Sequence, residues 1–238
     1  MRSFEVPFQR RRRSRMRTAM MFAGMAAGAG AATAFAGRTI MRGARNGRAA
    51  EPASELQQHV GDMLALDRHI LSAVDRQLMD TDASSYANVR ELLDSTREVM
   101  GRHIDRLEQE LDVLGGSPTS PIKSAVSSAA GSAMALLDRV KHAQVSRMIR
   151  DNYTALSLAS VSYSMLHTTA LALNSQRIAD LAQQCLMEVT PLIIRYSEQI
   201  PVVVVNEMAR DALPVDVTIS QVAVDNTQRA WAQTAQSD

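Results

Sequence analysis

The apolar positions of this chain fall into stripes at helical spacing rather than into the alternation of half-buried strands. The clearest stripe lies between Asn88 and Gly116, where Leu93, Met100, Leu107 and Leu114 recur every seven residues, with Ile104 and Leu111 between them. Arg97, Glu98, Arg102, Asp105, Arg106, Glu108, Glu110 and Asp112 mostly occupy the opposite side. This predicts an amphipathic helix that needs partner helices to cover its apolar face. Gly115–Gly116, with Pro118 soon after, supplies the stop.

Similar stripes flank it. Leu56, Val60, Met63, Ile70, Val74 and Leu78 mark a first helix from Ser54 to about Met79, and Asp67 falls inside that stripe. Thr81–Ser84 is a short polar connection with good N-cap candidates. A link this short makes the two helices antiparallel neighbours. Gly115–Pro121 reads as a turn, and the Ala/Ser-rich stretch from Lys123 to about Arg139 as a helical crossover.

From about Lys141 to Leu173, Val145, Ile149, Leu156, Ala159, Tyr163, Leu166, Ala170 and Leu173 give a third inner face, ended by Asn174–Ser175. Ile178, Leu181, Cys185, Val189, Leu192, Tyr196 and Ile200 give a fourth, from Gln176 to about Ile200, which Pro191 is expected to kink or split. Pro201 opens a separate short segment, Val202–Leu213, whose four valines read equally as a strand, though no partner strand is visible. Residues 214–238 are polar, lack a stripe and are expected to form a loose tail. The plan is two helical hairpins joined by a crossover.

Composition agrees with an all-α chain. Aromatics make up 4% of the 238 residues, whereas strand-rich folds use more aromatic and β-branched residues. The one cysteine, Cys185, rules out an intramolecular disulfide, a cysteine zinc cluster and an iron–sulfur site. It is expected to be an inert buried thiol. The chain lacks phosphate-loop, dinucleotide-binding, nucleophile-elbow and zincin motifs. Nothing holds a nucleophile beside a base, so an enzyme is not the favoured expectation.

The net charge of +1 hides a basic head. Arg10–Arg13, Arg15 and Arg17 precede an uncharged stretch, residues 18–37, long enough to cross a bilayer core as a helix. Arg38, Arg42, Arg45 and Arg48 follow it. Residues 1–50 therefore form a unit of their own, separate from a bundle over 53–213. A membrane anchor competes with a cleaved signal peptide, for which Ala34-Phe35-Ala36 is a candidate cleavage site. A soluble Arg-rich extension, including a nucleic-acid arm, is the third reading, without aromatic interleaving to support it. The denser N-terminal arginines favour a cytoplasmic N-terminus and a periplasmic main domain. Exported-soluble and cytoplasmic placements are the alternatives.

The first hairpin carries a family resemblance. His103 to Gly116, HIDRLEQELDVLGG, and Asp62 to Leu71, DMLALDRHIL, resemble the bacterial ferritin-like family of the YciE/YciF type, over about residues 55–200. That resemblance implies a ferritin-like four-helix bundle and, in its core, a candidate di-metal site of carboxylates and histidines. It places Asp67 at the first-helix glutamate position and His103 near a second-helix position that is glutamine or histidine. The glutamate expected one turn earlier is Val99, and the adjacent Glu98 points about 100° away. No Asp or Glu lies between Asp151 and Asp180, where Ser160, Tyr163, Ser164 and His167 are the inward candidates. The fourth helix offers Glu188.

The resemblance thus implies a degenerate centre. The favoured reading is a non-enzymatic, membrane-associated bundle with no cofactor, stress-related by resemblance. A homodimer through the small residues 124–135 is expected. The alternative is an iron- or other divalent-metal-binding protein or oxidase using Asp67, His103, Glu188 and His167.

Overall fold

The computed structural model describes residues 52–116 and 145–234. Six helices occur there: α1 (Pro52–Leu78), α2 (Thr81–Ser84), α3 (Ala87–Val113), α4 (Val145–Ala172), α5 (Gln176–Arg210) and α6 (Ile219–Thr234). The four long helices, α1, α3, α4 and α5, form the predicted bundle. The α1–α3 and α4–α5 hairpins pack side by side, α1 against α4 and α3 against α5. Leu93, Met100 and Leu107 from the opening stripe are completely buried. The 18–37 segment, the crossover at 123–139 and the candidate dimer stretch 124–135 lie outside the described residues. Among the described residues, no helix is long and apolar enough to cross a membrane.

The hairpin ends follow from local backbone chemistry. Gly115, at φ 75°, lets the chain leave α3. Its N–H binds Asp112 O at 2.9 Å and that of Gly116 binds Leu111 O at 2.8 Å, which satisfies the last carbonyls in a Schellman arrangement. A Cβ on Gly116 would meet Leu111 Cδ1 at 2.6 Å, so both glycines are needed, for different reasons. The same wrap ends α4, with Asn174 at φ 56° and Ser175 N–H on Ala170 O at 2.8 Å. It also ends α5, where Ala212 takes the left-handed position at φ 58° and Leu213 N–H binds Met208 O at 3.1 Å.

Three expectations are corrected. The Thr81–Ser84 connection is a one-turn helix capped by Asp80, whose carboxylate accepts from Asp82 N–H at 2.8 Å. The fourth helix does not split: α5 runs through both Pro191 and Pro201, and the valine run is helical rather than a strand. Each proline removes one helical N–H, but Val189, Leu192, Ile193, Tyr196 and Val203 are all buried along this element. That packing outweighs two lost hydrogen bonds. Finally, the tail expected to be loose over 214–238 carries α6, which packs on α5 with Val224 buried and Gln228 Nε2 donating to Glu198 Oε1 at 2.8 Å.

Candidate functional site

Midway along the bundle, a polar cluster interrupts the apolar core. Asp67 comes from α1, His103 and Arg106 from α3, Tyr163 from α4, and Glu188 from α5. Asp67, His103 and Tyr163 are completely buried, while the Glu188 side chain keeps 22% exposure. Each arrives by helical periodicity: Asp67 lies between Val60 and Val74 on the buried face of α1, Tyr163 between Leu156 and Ala170 on that of α4. The Tyr163 hydroxyl donates to Asp67 Oδ2. His103 Nδ1 stands 3.2 Å from the Tyr163 oxygen and 3.7 Å from Asp67 Oδ2. On the far edge of the ring, Nε2 stands 3.4 Å from Glu188 Oε2. The His103 and Tyr163 rings meet edge to face, with centroids 5.4 Å apart.

The proton positions follow from this arrangement. The single Tyr163 proton points at Asp67, so the tyrosine oxygen is an acceptor toward His103, and Nδ1 must carry a proton. Nε2 faces a carboxylate, and that contact is attractive when Nε2 is protonated as well. The geometry fixes the proton on Nδ1; Nε2 and Glu188 Oε2 lie 3.4 Å apart without a hydrogen bond, and a second proton on Nε2 makes the ring an imidazolium between two carboxylates. Burial works against the charged ring, but the Asp67 carboxylate and the neighbouring Cys185 sulfur outweigh it and raise the His103 pKa to about 9. Burial also pushes the Tyr163 hydroxyl well above its usual range, helped by the Asp67 charge. Glu188 moves the other way: burial opposes its charge, but the Arg106 guanidinium, donating to Oε1 at 2.8 Å, holds the carboxyl below its usual value. Gln184 Nε2 donates to the same oxygen at 3.0 Å, and Arg102 Nη2 lies 3.6 Å from Oε2.

The fold brings together three of the four candidate ligands. The fourth, His167, is not part of the cluster: its Nδ1 donates to the Ala179 carbonyl at 2.8 Å, about 13 Å along α5 from Glu188 at helical rise. Glu98 is exposed and pairs with Arg102 at 2.6 Å, as its orientation predicts. His59, which has no evident partner in the sequence, pairs with Glu55 one turn away at 3.2 Å. Cys185 is fully buried.

An iron ion does not fit this arrangement. Asp67 and Glu188 lie at opposite edges of the His103 ring, so one ion held by the imidazole meets at most one of them. A metal ligand also needs an unprotonated ring nitrogen; Nδ1 is committed to Tyr163, which leaves Nε2 with Glu188 as its one carboxylate neighbour. Among the described residues, no group of three or more His, Cys, Asp or Glu is arranged to hold a metal ion. Within the cluster and beside it, Asp67 Oδ1, His103 Nε2, Glu188 Oε2 and Ser160 Oγ are buried without a hydrogen-bond partner among the described residues.

A second buried polar set, Gln77, Thr96, Asn152 and Tyr196, has no counterpart in the sequence-derived candidates. Its signal is faint: a Gln, a Thr and an Asn on otherwise apolar helix faces.

Residues 53–191 match the model of a protein family described as a domain of unknown function, DUF892. No curated protein matches the chain. The match covers the whole of the polar cluster and stops within α5, before Tyr196 and the C-terminal helix.

Proposed function

The chain belongs to the DUF892 family, a family of ferritin-like fold, and from that premise we propose that it is a non-enzymatic bundle protein whose core charges balance one another without a metal. The observation that carries this reading is His103 held between Asp67 and Glu188, at 3.7 and 3.4 Å. Each carboxylate that would ligate a metal already has a cationic partner from the chain itself, and Arg106 adds a second one to Glu188. A two-metal centre needs carboxylates from all four helices. Here α3 presents Val99 and His103, and α4 presents Ser160 and Tyr163.

The finer assignment to the YciE/YciF type, with its stress association, rests on the closing run of α3 and on the first-helix pattern. In this reading residues 18–37 tether the bundle to a membrane, the main domain faces the periplasm, and the chain pairs as a homodimer. Membrane fractionation with N-terminal sequencing tests the tether. A mature protein starting at Gly37 replaces it with an exported soluble bundle.

The convergence of Asp67, His103 and Glu188 keeps one specific alternative open to test, an iron-binding or oxidase protein with an atypical centre. Elemental analysis of protein purified from iron-supplemented culture separates the two. Trace metal, unchanged in an Asp67→Ala, His103→Ala variant, is expected. Stoichiometric iron that this double substitution removes overturns the metal-free reading.

A further inference from the structure

About 15 Å along α1 from Asp67, at helical rise, the second polar layer crosses the bundle. It takes one side chain from each long helix: Gln77 from α1, Thr96 from α3, Asn152 from α4 and Tyr196 from α5, exposed by 2% at most. Gln77 and Asn152 exchange amide hydrogen bonds, Asn152 Nδ2 donating to Gln77 Oε1 at 2.7 Å and Gln77 Nε2 to Asn152 Oδ1 at 3.2 Å. Asn152 Nδ2 also donates to the Tyr196 oxygen at 3.4 Å. Thr96 Oγ1 donates to Leu92 O at 2.7 Å and lies 3.1 Å from the Tyr196 oxygen. The one threonine proton is committed to Leu92, so Tyr196 donates to Thr96. The result is a directed chain from α1 through α4 and α5 to the backbone of α3, in which each side chain has a fixed role. None of its polar atoms is left unpartnered.

We propose that this layer sets the register in which the two hairpins pair. The seams where the hairpins meet are α1–α4 and α3–α5, and the layer crosses both. The apolar positions Ala155, Leu156, Ala159, Leu166 and Ala170 of α4 discriminate poorly, being small or similar side chains that accept a slip of one turn, so register falls to the polar contacts, this layer and the Tyr163–Asp67 bond on the same seam. Such a slip replaces Asn152 with Leu156 opposite Gln77. It strips partners from the glutamine amide and the tyrosine hydroxyl together, and buried polar groups are costly when unpaired. The rim ion pairs across the α3–α5 seam, such as Arg195–Glu91 at 2.8 Å, are exposed and discriminate weakly. Buried polar residues set register in this way in coiled coils, at some cost in stability.

The test compares two variants of the full-length protein. In Gln77→Leu, Thr96→Val, Asn152→Leu, Tyr196→Phe the whole layer becomes apolar. In Asn152→Leu alone, Gln77 and Tyr196 lose their partner. The quadruple variant is expected to have a higher urea midpoint than the single one. It is also expected to lose the unique state, with multiplied amide peaks in NMR spectra and mixed oligomers in size-exclusion chromatography with light scattering. A quadruple variant with one set of sharp peaks and an unchanged mass overturns the proposal. So does one that fails to fold or unfolds at lower urea than Asn152→Leu, since either result assigns the layer to stability instead of register.

Discussion

The Tyr163 hydroxyl on α4 donates to Asp67 on α1, and both side chains are completely buried. This bond joins residues almost a hundred positions apart across a seam between the hairpins. Asp67 has no other hydrogen-bonded oxygen, because Oδ1 is unpartnered. Tyr163→Phe therefore leaves a buried carboxylate with no hydrogen-bond donor. It is expected to cost about 1–3 kcal/mol, read as a lower urea midpoint at unchanged slope. Asp67→Asn in the same background should not recover the loss, because it also removes the carboxylate that supports the His103 imidazolium.

The His103 imidazolium predicts a pH dependence. Its folded pKa of about 9 lies above the ordinary histidine value, so the folded state binds the extra proton more tightly. That contribution is complete below about pH 6.5 and is lost as pH rises toward 9. Its size is on the order of 3 kcal/mol. Urea midpoints measured from pH 6 to 9.5 should fall across this window, and His103→Gln should flatten the slope. A wild-type profile level across the range would remove the imidazolium from the description.

Asp62 on α1 gives a separate slope at lower pH. Burial, and then the charge of Glu55, raises its carboxyl to about 7. The unfolded chain ionises this group first, so stability falls as pH rises from about 4 to 7. Asp62→Asn should be more stable than the parent at pH 8 and equal to it near pH 3.5. Thermal melts at the two pH values test both halves of that statement.

Ala212 holds the left-handed position that closes α5, at φ 58°, and is exposed. Gly115 does the same work for α3 without a Cβ. Ala212→Gly should relieve the strain and stabilise the helix end by about 0.5–1 kcal/mol. Amide exchange at the end of α5 is the sensitive readout, since the last turn frays before the bundle unfolds.

Much of the architecture was legible because periodicity is a local property. The stripe through Leu93, Met100 and Leu107 predicts the face that α3 buries, and Gly115 and Asn174 predict where α3 and α4 stop. The errors came where local propensity met packing. Pro191 and Pro201 argue against one long helix, yet the buried residues of α5 on both sides carry it through. The segment after Pro214 has no stripe of its own wide enough to read, but α5 offers it a surface on which Val224 is buried.

The sequence by itself determined the four long bundle helices in outline, their pairing into hairpins and the polar residues on inward faces, Asp67, His103 and Tyr163 among them. Those follow from spacings of three, four and seven residues, which a chain displays before it folds. Only the tertiary structure decided what the polar residues do. It placed Glu188 and Arg106 at the edge of the His103 cluster, turned His167 away to Ala179, and linked Gln77, Thr96, Asn152 and Tyr196 into one hydrogen-bonded layer. A buried donor or acceptor is defined by the partner it meets, and within the four-residue layer the side-chain partners lie 44 to 100 positions apart, a distance over which no local pattern carries information.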